Sequence, residues 1–410
     1  MALLVAAMLA CYAHRGALSV AAPFMIKQLN ISPAAMGLLL SAFFWSYSLM
    51  QIPAGWLVDR FGVKWSYALG YIFWSLASAL TGFAKTLATL IVVRVFVGVG
   101  QSVAFPASAR AVANWFQDKE RGRVTAGYLT GVRLGQALVA GVGSLVLAAY
   151  GLKFFFLVTG VIPLLWLLPW FKFLRRWEKG AAAALAADPS ASKSSASFAK
   201  SLTLLRHRSV FGIFLGFFAY DYAWFVYLTW LPGYLVLERK FSTREMGIYG
   251  SVPYIAMSVI ILLSGFISDG LVRRGYSETW VRKTFIVAGL MISCLIVPAG
   301  LVESNMTAVW LLTISLCGLG IASPNTWTLT QAVCSKNIVG TVSGMQNFGG
   351  NLGGVLAPAL TGYIAHRTHS FAWALGLTGA VLIIGILAYS FLITKHVEDA
   401  GSPVEAEMRT

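Results

Sequence analysis

Apolar residues in this chain run on for about 20 positions at a time, and the runs end at charges, Pro/Gly clusters and polar turns. A soluble amphipathic helix would show one apolar stripe and a membrane β-strand an alternation with period two; neither pattern is present. About 20 apolar residues rising 1.5 Å each cross a hydrocarbon core roughly 30 Å thick. The runs predict twelve spans, near 2–26, 33–58, 65–84, 86–112, 121–149, 152–174, 207–236, 243–268, 281–302, 306–334, 338–365 and 370–394. The expected fold is an all-α membrane protein with twelve transmembrane helices in two pseudo-symmetric six-helix halves.

The only long polar stretch lies between the sixth and seventh spans, and its Ala/Ser/Lys composition cannot bury a core. It divides the chain into a first half at 1–174, a cytoplasmic linker at 175–206, a second half at 207–395 and a cytoplasmic tail at 396–410. An internal repeat agrees with that division: GWLVDRFGVK from Gly55 returns as GFISDGLVRR from Gly265. Gly127 and Gly131 in the fifth span correspond to Gly340 and Gly344 in the eleventh, and the four-residue spacing predicts a close-packing face on each helix.

Composition sharpens this picture. With 58% hydrophobic and 11% charged residues over 410 positions, a large soluble enzyme, a disordered chain and a disulfide scaffold are all excluded. The net charge of +16 would suggest nucleic acid if the cations shared one solvated face. They do not: with both termini placed in the cytoplasm, 20 Lys/Arg fall on the inner side and 7 on the outer. The positive-inside rule therefore accounts for the charge, and the expected partner is a lipid bilayer, with no nucleic acid. The N-terminus lacks a basic n-region and a cleavage site, so the first segment reads as a retained helix. Cys11, Cys294, Cys317 and Cys334 are scattered without ligand spacing, so no disulfide and no metal are expected. No Walker A string, H-E-x-x-H or G-x-S-x-G is present, so the chain reads as a non-enzyme without cofactor.

The chemistry concentrates in a few polar groups inside apolar runs. Arg15 and Arg94 lie deep in the first and fourth spans, where an unpaired guanidinium costs roughly 3 kcal/mol or more. Each must face a polar cavity or a partner. Gln101 follows Arg94 by two helical turns and should share its face. A guanidinium fork suits a carboxylate, whereas the alternative is an arginine bonded to helix carbonyls. Arg110 can snorkel from its span's end, and Arg133 in the fifth span stays open between structure and function. Asn325, Thr326 and Trp327 follow Pro324 in the tenth span, and Asn347 and Asn351 share a face of the eleventh. These groups fit either hydroxyl recognition on a polyol or helix–helix hydrogen bonding.

The duplicated halves with G-x-x-x-D-R-x-G-x-K after the second span resemble the major facilitator superfamily. CYAHRGALSVAAP (11–23), SYSLMQIPAGWLVDRFG (46–62), RVFVGVGQSVAFPASARAVANWF (94–116), ERGRVTAGYLTG (120–131), LTWLPGYL (228–235) and GMQNFGGNLGGVLAP (344–358) resemble its anion:cation symporter branch. That resemblance implies the major facilitator fold and transport of a small organic anion, a carboxylate such as a sugar acid, by alternating access. The alternative is a transporter-like anion sensor without net flux. It implies substrate contacts at Tyr12 and Tyr47, beside Arg15, Arg94 and Gln101, and a conformational latch at Asp59, Arg60 and Asp269. Relatives coupled to protons carry acids where this chain has His14 and Gln101, so coupling is expected to be atypical or absent. His14 and Asp221 are the coupling candidates, each weighed against a hydrogen-bonding, substrate-contacting or ion-pair role. The expected setting is a bacterial inner membrane.

Overall fold

The computed structural model describes residues 1–116, 118–173, 204–335, 338–393 and 397. The predicted linker and tail lie almost wholly outside the described residues. In chain order the main helices are α1 (Ala2–Gln28), α2 (Pro33–Leu80), α3 (Leu87–Gln101), α4 (Ala104–Trp115), α5 (Asp118–Leu138) and α6 (Ser144–Val161). They continue with α7 (Arg208–Gly233), α8 (Thr243–Arg273), α9 (Glu278–Ser293), α10 (Asn305–Val333), α11 (Val339–Thr368) and α12 (Ala372–Leu387).

Each of the twelve predicted spans has a helical counterpart. The second and third spans are the two arms of α2, and the fourth is α3 followed by α4. Among the described residues, nine stretches are long and apolar enough to cross a bilayer, and one of them, Gly127–Phe173, runs for 47 residues through both the fifth and sixth spans. Two of the breaks within the long helices are single glycines. Gly62 (φ 76°, ψ 161°) bends α2 and Gly151 (φ 76°, ψ 178°) bends α6, in a backbone region that a side chain makes nearly inaccessible. Helix starts carry the expected caps: Ser32 accepts from the Ala35 amide ahead of α2, and Thr86 with Thr89 forms a capping box ahead of α3.

The chain forms two compact units. One comprises Met1–Ser194, Leu228–Ile255 and Pro358–Phe371; the other comprises Ser195–Tyr227, Ala256–Ala357 and Ala372–Thr410. In the first unit α5 presses against α1 through the glycine face that the sequence predicts. A Cβ at Gly131 would lie 2.5 Å from the Val5 carbonyl oxygen, and one at Gly135 would strike the backbone at Leu9 and Ala13. On α3, Gly98 meets the α2 backbone at Phe43 and Tyr47, while Gly100 meets Trp74 in the other arm. The second unit departs from the expectation for the eleventh span, because nothing lies within 4 Å of a Cβ built on Gly344. Gly349, Gly350 and Gly353 instead carry α11 against Phe214, Asp221 and Tyr222 of α7. The repeat fixes which helices are glycine-rich, and the neighbour fixes which glycines pack.

Candidate functional site

In the first unit the buried end of the Arg15 side chain meets groups from three helices. Arg15 and Tyr12 are one turn apart on α1, and Phe43 and Tyr47 are one turn apart on α2. The guanidinium carbon sits 4.5 Å from the Tyr12 ring centre, 4.8 Å from Phe43 and 4.5 Å from Tyr47. Three π faces thus surround one cation that is only 4% exposed. Nε donates to Gln101 Oε1 at 2.9 Å and Nη1 to the Tyr12 hydroxyl at 3.3 Å. Nη2 makes no hydrogen bond; the Tyr47 hydroxyl lies beside the guanidinium but outside hydrogen-bond geometry.

Arg94 and Gln101 share the face of α3 toward α1, as their spacing predicts. Gln101 is fully buried, and its Nε2 donates to the Cys11 carbonyl at 3.1 Å, so the amide is held at both ends. Arg94 Nη2 donates to the Arg15 carbonyl at 3.2 Å, and its guanidinium lies 5.0 Å from the Phe43 ring. Among the described residues no carboxylate contacts Arg15 or Arg94. The site is therefore a pair of buried cations held by rings, a neutral amide and a backbone carbonyl. A desolvated guanidinium in that setting attracts an anion strongly, because low-dielectric surroundings screen little.

His14 turns away from the Arg15 cage. It borders a small cavity with Arg94, Ser78, Thr81, Leu90 and Phe156. The backbone carbonyls of Ala10 and Thr159 face its ring without reaching hydrogen-bond geometry. Neighbours in sequence, His14 and Arg15 thus occupy different surroundings, about 100° apart around α1.

The second-half residues assemble elsewhere. Asn325 is fully buried; its amide nitrogen donates to Ser264 Oγ at 3.1 Å and to the Ile321 carbonyl at 2.9 Å, and its oxygen accepts from Arg282 Nη1 at 3.3 Å. Arg282 also bonds Ser268 Oγ at 2.8 Å and pairs with Asp269 at 2.7 Å and Glu278 at 3.4 Å. Arg282 is a buried residue one turn into α9. Thr326 Oγ1 donates to the Ser323 carbonyl, and Trp327 stands edge-on to Phe217 at 5.1 Å. Asn351 is buried, whereas Asn347 is half-buried. Asp221, half-buried on α7, lies against Gly350 and near Tyr389. Of the latch residues, the Asp59 side chain lies outside the described residues. Arg60 is exposed, over the rings of Trp56 (5.4 Å) and Phe61 (5.8 Å), and Asp269 holds Arg282.

Two participants escaped the sequence reading. Phe43 underlies both Arg15 and Arg94, and its only signal was its position four residues before Tyr47. Arg282 could have been found as the cation nearest in sequence to Asp269 that falls inside a span.

Long apolar helices that bury a few cations are those of a multi-pass membrane protein. Residues 3–358 match the model of the Major Facilitator Superfamily, and the chain belongs to that family. It is 35% identical over 398 residues to a D-galactonate transporter of Escherichia coli O6:H1, covering 93% of this chain and 92% of that protein. It is 32% identical over 408 residues to a probable galactarate/D-glucarate transporter of Escherichia coli K12, with 93% and 91% covered. Its fold matches a bacterial homolog of the human lysosomal transporter Spinster, with a TM-score of 0.75 at 19% identity over 95% of each chain. The protein is a transporter and not an enzyme.

Proposed function

We propose that this chain moves a small organic anion, a carboxylate of the sugar-acid kind, across a bacterial inner membrane by alternating access, with both termini cytoplasmic. Arg15 is the carboxylate anchor. The observation that carries this reading is its guanidinium: buried, stacked among three rings, bonded to neutral groups alone and with Nη2 making no hydrogen bond. An arriving carboxylate supplies the negative charge that the cage withholds. Tyr12 and Tyr47 add phenols beside it, and Arg94 and Gln101 fix the backbone and side chain of the anchor. The relatives named above carry sugar acids, which supports the substrate class.

The coupling is atypical or absent. Gln101 does not titrate, so a relay of two carboxylates beside Arg15 is missing, and His14 with Asp221 are the remaining candidates. The test is uptake of sugar acids into proteoliposomes under an imposed pH gradient at clamped voltage. Downhill uptake without concentration against a gradient is expected. Concentrative uptake that survives His14→Gln would overturn the uncoupled reading and turn attention to Asp221. Binding without any uptake would overturn transport in favour of a sensor.

A further inference from the structure

Two cavities of the first unit share a wall. The inner one, beside His14, is also bordered by Ser78 and Thr81 where α2 ends, by Arg94 of α3 and by Phe156 of α6. The second is a cleft of about 340 Å³ at the end of α1 away from Met1, edged by Gln28 and by the exposed Lys85 and Lys153. Thr81 and Phe156 border this cleft as well, so they form the partition. His14 and Leu18 on the inner cavity and Met25 and Leu29 on the cleft repeat at helical spacing, so one face of α1 runs past both. Gly82 brings the turn after α2 against α6 at this point: a Cβ there would lie 3.1 Å from the Lys153 carbonyl oxygen and from Phe156 Cβ.

The inner cavity is small and polar. Its volume of about 10 Å³ stands at the lower bound for a single water. His14 is 1% exposed and neither of its ring nitrogens makes a hydrogen bond; Arg94, 6% exposed, has an unbonded Nε. Two buried side chains with three unbonded nitrogens therefore border a space of one water's size. Buried polar groups almost always have a partner, in the protein or in ordered water, and a cation inside a membrane span faces an aqueous cavity or a counter-group. A buried water needs about two to four polar partners, and the Ser78 and Thr81 side chains stand on the same wall as further ones. A sugar acid does not fit so small a space.

We propose that the inner cavity is a binding site for one water, hydrogen-bonded to His14 and to Arg94 Nε, and that this water exchanges with the cleft past Phe156. The passage lies wholly inside the first unit and is separate from the Arg15 cage, which occupies another side of α1. It hydrates His14 and gives it a route for proton exchange that does not cross the anion site. With both termini cytoplasmic, as proposed above, the route leads to the outer solution. Arg94 is the charged group on the cavity itself, and Lys85 and Lys153 keep the mouth of the cleft wet. The inference depends on no choice of substrate.

The experiment is hydroxyl-radical footprinting of the purified full-length protein. A brief X-ray pulse converts water into radicals that oxidise adjacent side chains, and peptide mass spectrometry locates the added oxygen. Leu90 and Phe156, which line the inner cavity, should be oxidised at least about tenfold faster than the equally buried Leu39 and Phe155, and His14 should be oxidised with them. Transfer into oxygen-18 water just before the pulse should put the heavy isotope into those products. Phe156→Trp thickens the partition and Ser78→Val fills the cavity from α2; each should lower oxidation of His14 about tenfold. Wild-type labelling at His14, Leu90 and Phe156 no faster than at the buried controls overturns the water site, and this arm needs no variant. Fast labelling without the heavy isotope overturns the passage, because the water is then sealed in. Oxidation of His14 that neither substitution lowers overturns it too, since water then arrives by another route.

Discussion

Arg15 and Arg282 are both arginines buried within helices, and their partners differ completely. Arg282 is neutralised: Asp269 and Glu278 supply charge, and Ser268 and Asn325 supply oxygen acceptors. Arg15 has three aromatic rings, an amide oxygen and a phenol, and no described carboxylate. A guanidinium with its own carboxylates is a structural tie, and it has little electrostatic reason to accept another anion. One held only by polarisable and neutral groups is positioned but not discharged, which is the condition an anion-binding group must meet. The contrast also separates two kinds of buried arginine that sequence treats alike.

The largest effect is expected at Arg15. Arg15→Ala should lower sugar-acid affinity by about 100-fold or more, and Arg15→Lys should follow it, since removing one partner of a buried charge pair costs ~3 kcal/mol. Thermal stability of the ligand-free protein should hold or rise, because an undischarged buried charge is removed. Wild-type binding in both variants would break the comparison. Gln101→Glu is the conversion of one arginine type into the other. The new carboxylate discharges Arg15 and competes with substrate, so affinity at neutral pH should fall about tenfold. Acidification, which neutralises that carboxylate, should restore binding; a pH-independent loss would point to distorted packing instead.

Arg282→Met should show the opposite profile, with sugar-acid affinity kept and the unfolding temperature lowered. Asp269 and Glu278 are about half exposed (57% and 47% of their side chains) and can rehydrate. The cost therefore sits with the buried Asn325 and Ser268 groups, ~1–3 kcal/mol. The smallest effect belongs to Asp269→Asn, which removes the closest charge but leaves Glu278 and both neutral acceptors. Stability should change by under ~1 kcal/mol, while the transport rate falls at unchanged affinity if the pair acts as a latch. Equal rates in wild type and variant would leave the pair as packing alone.

The spans were legible because lipid imposes a length and a polarity that no soluble context demands, and the breaks were legible because Gly62 and Gly151 occupy backbone regions other residues avoid. The shared face of Arg94 and Gln101 was legible from helical spacing, and the need of Arg15 and Arg94 for a polar setting from the cost of charge in hydrocarbon; their grouping with Arg15 followed from the family resemblance. What spacing does not encode is the partner across the helix interface. Phe43 is one of 26 phenylalanines, and nothing but the position of α1 makes it a platform for two arginines. Asn325 stayed open between hydroxyl recognition and helix–helix hydrogen bonding because its donor neighbour Arg282 and its acceptor neighbour Ser264 lie 43 and 61 residues away. Gly344 fails to pack although its repeat mate does, since α11 meets a different neighbour from α5.

The cage around Arg15 also bears on the order in which this half can be assembled in a membrane. The arginine leaves the ribosome on α1, whereas two of its rings arrive with α2 and its amide partner with α3, 86 residues later. Until then α1 presents the translocon with a central arginine, at a cost of ~2.5–3.5 kcal/mol on insertion scales. Its own apolar residues must carry that charge alone, aided only by Tyr12 one turn away. The first helix is therefore expected to settle into the bilayer in stages, with its arginine fully partnered only once α3 delivers Gln101.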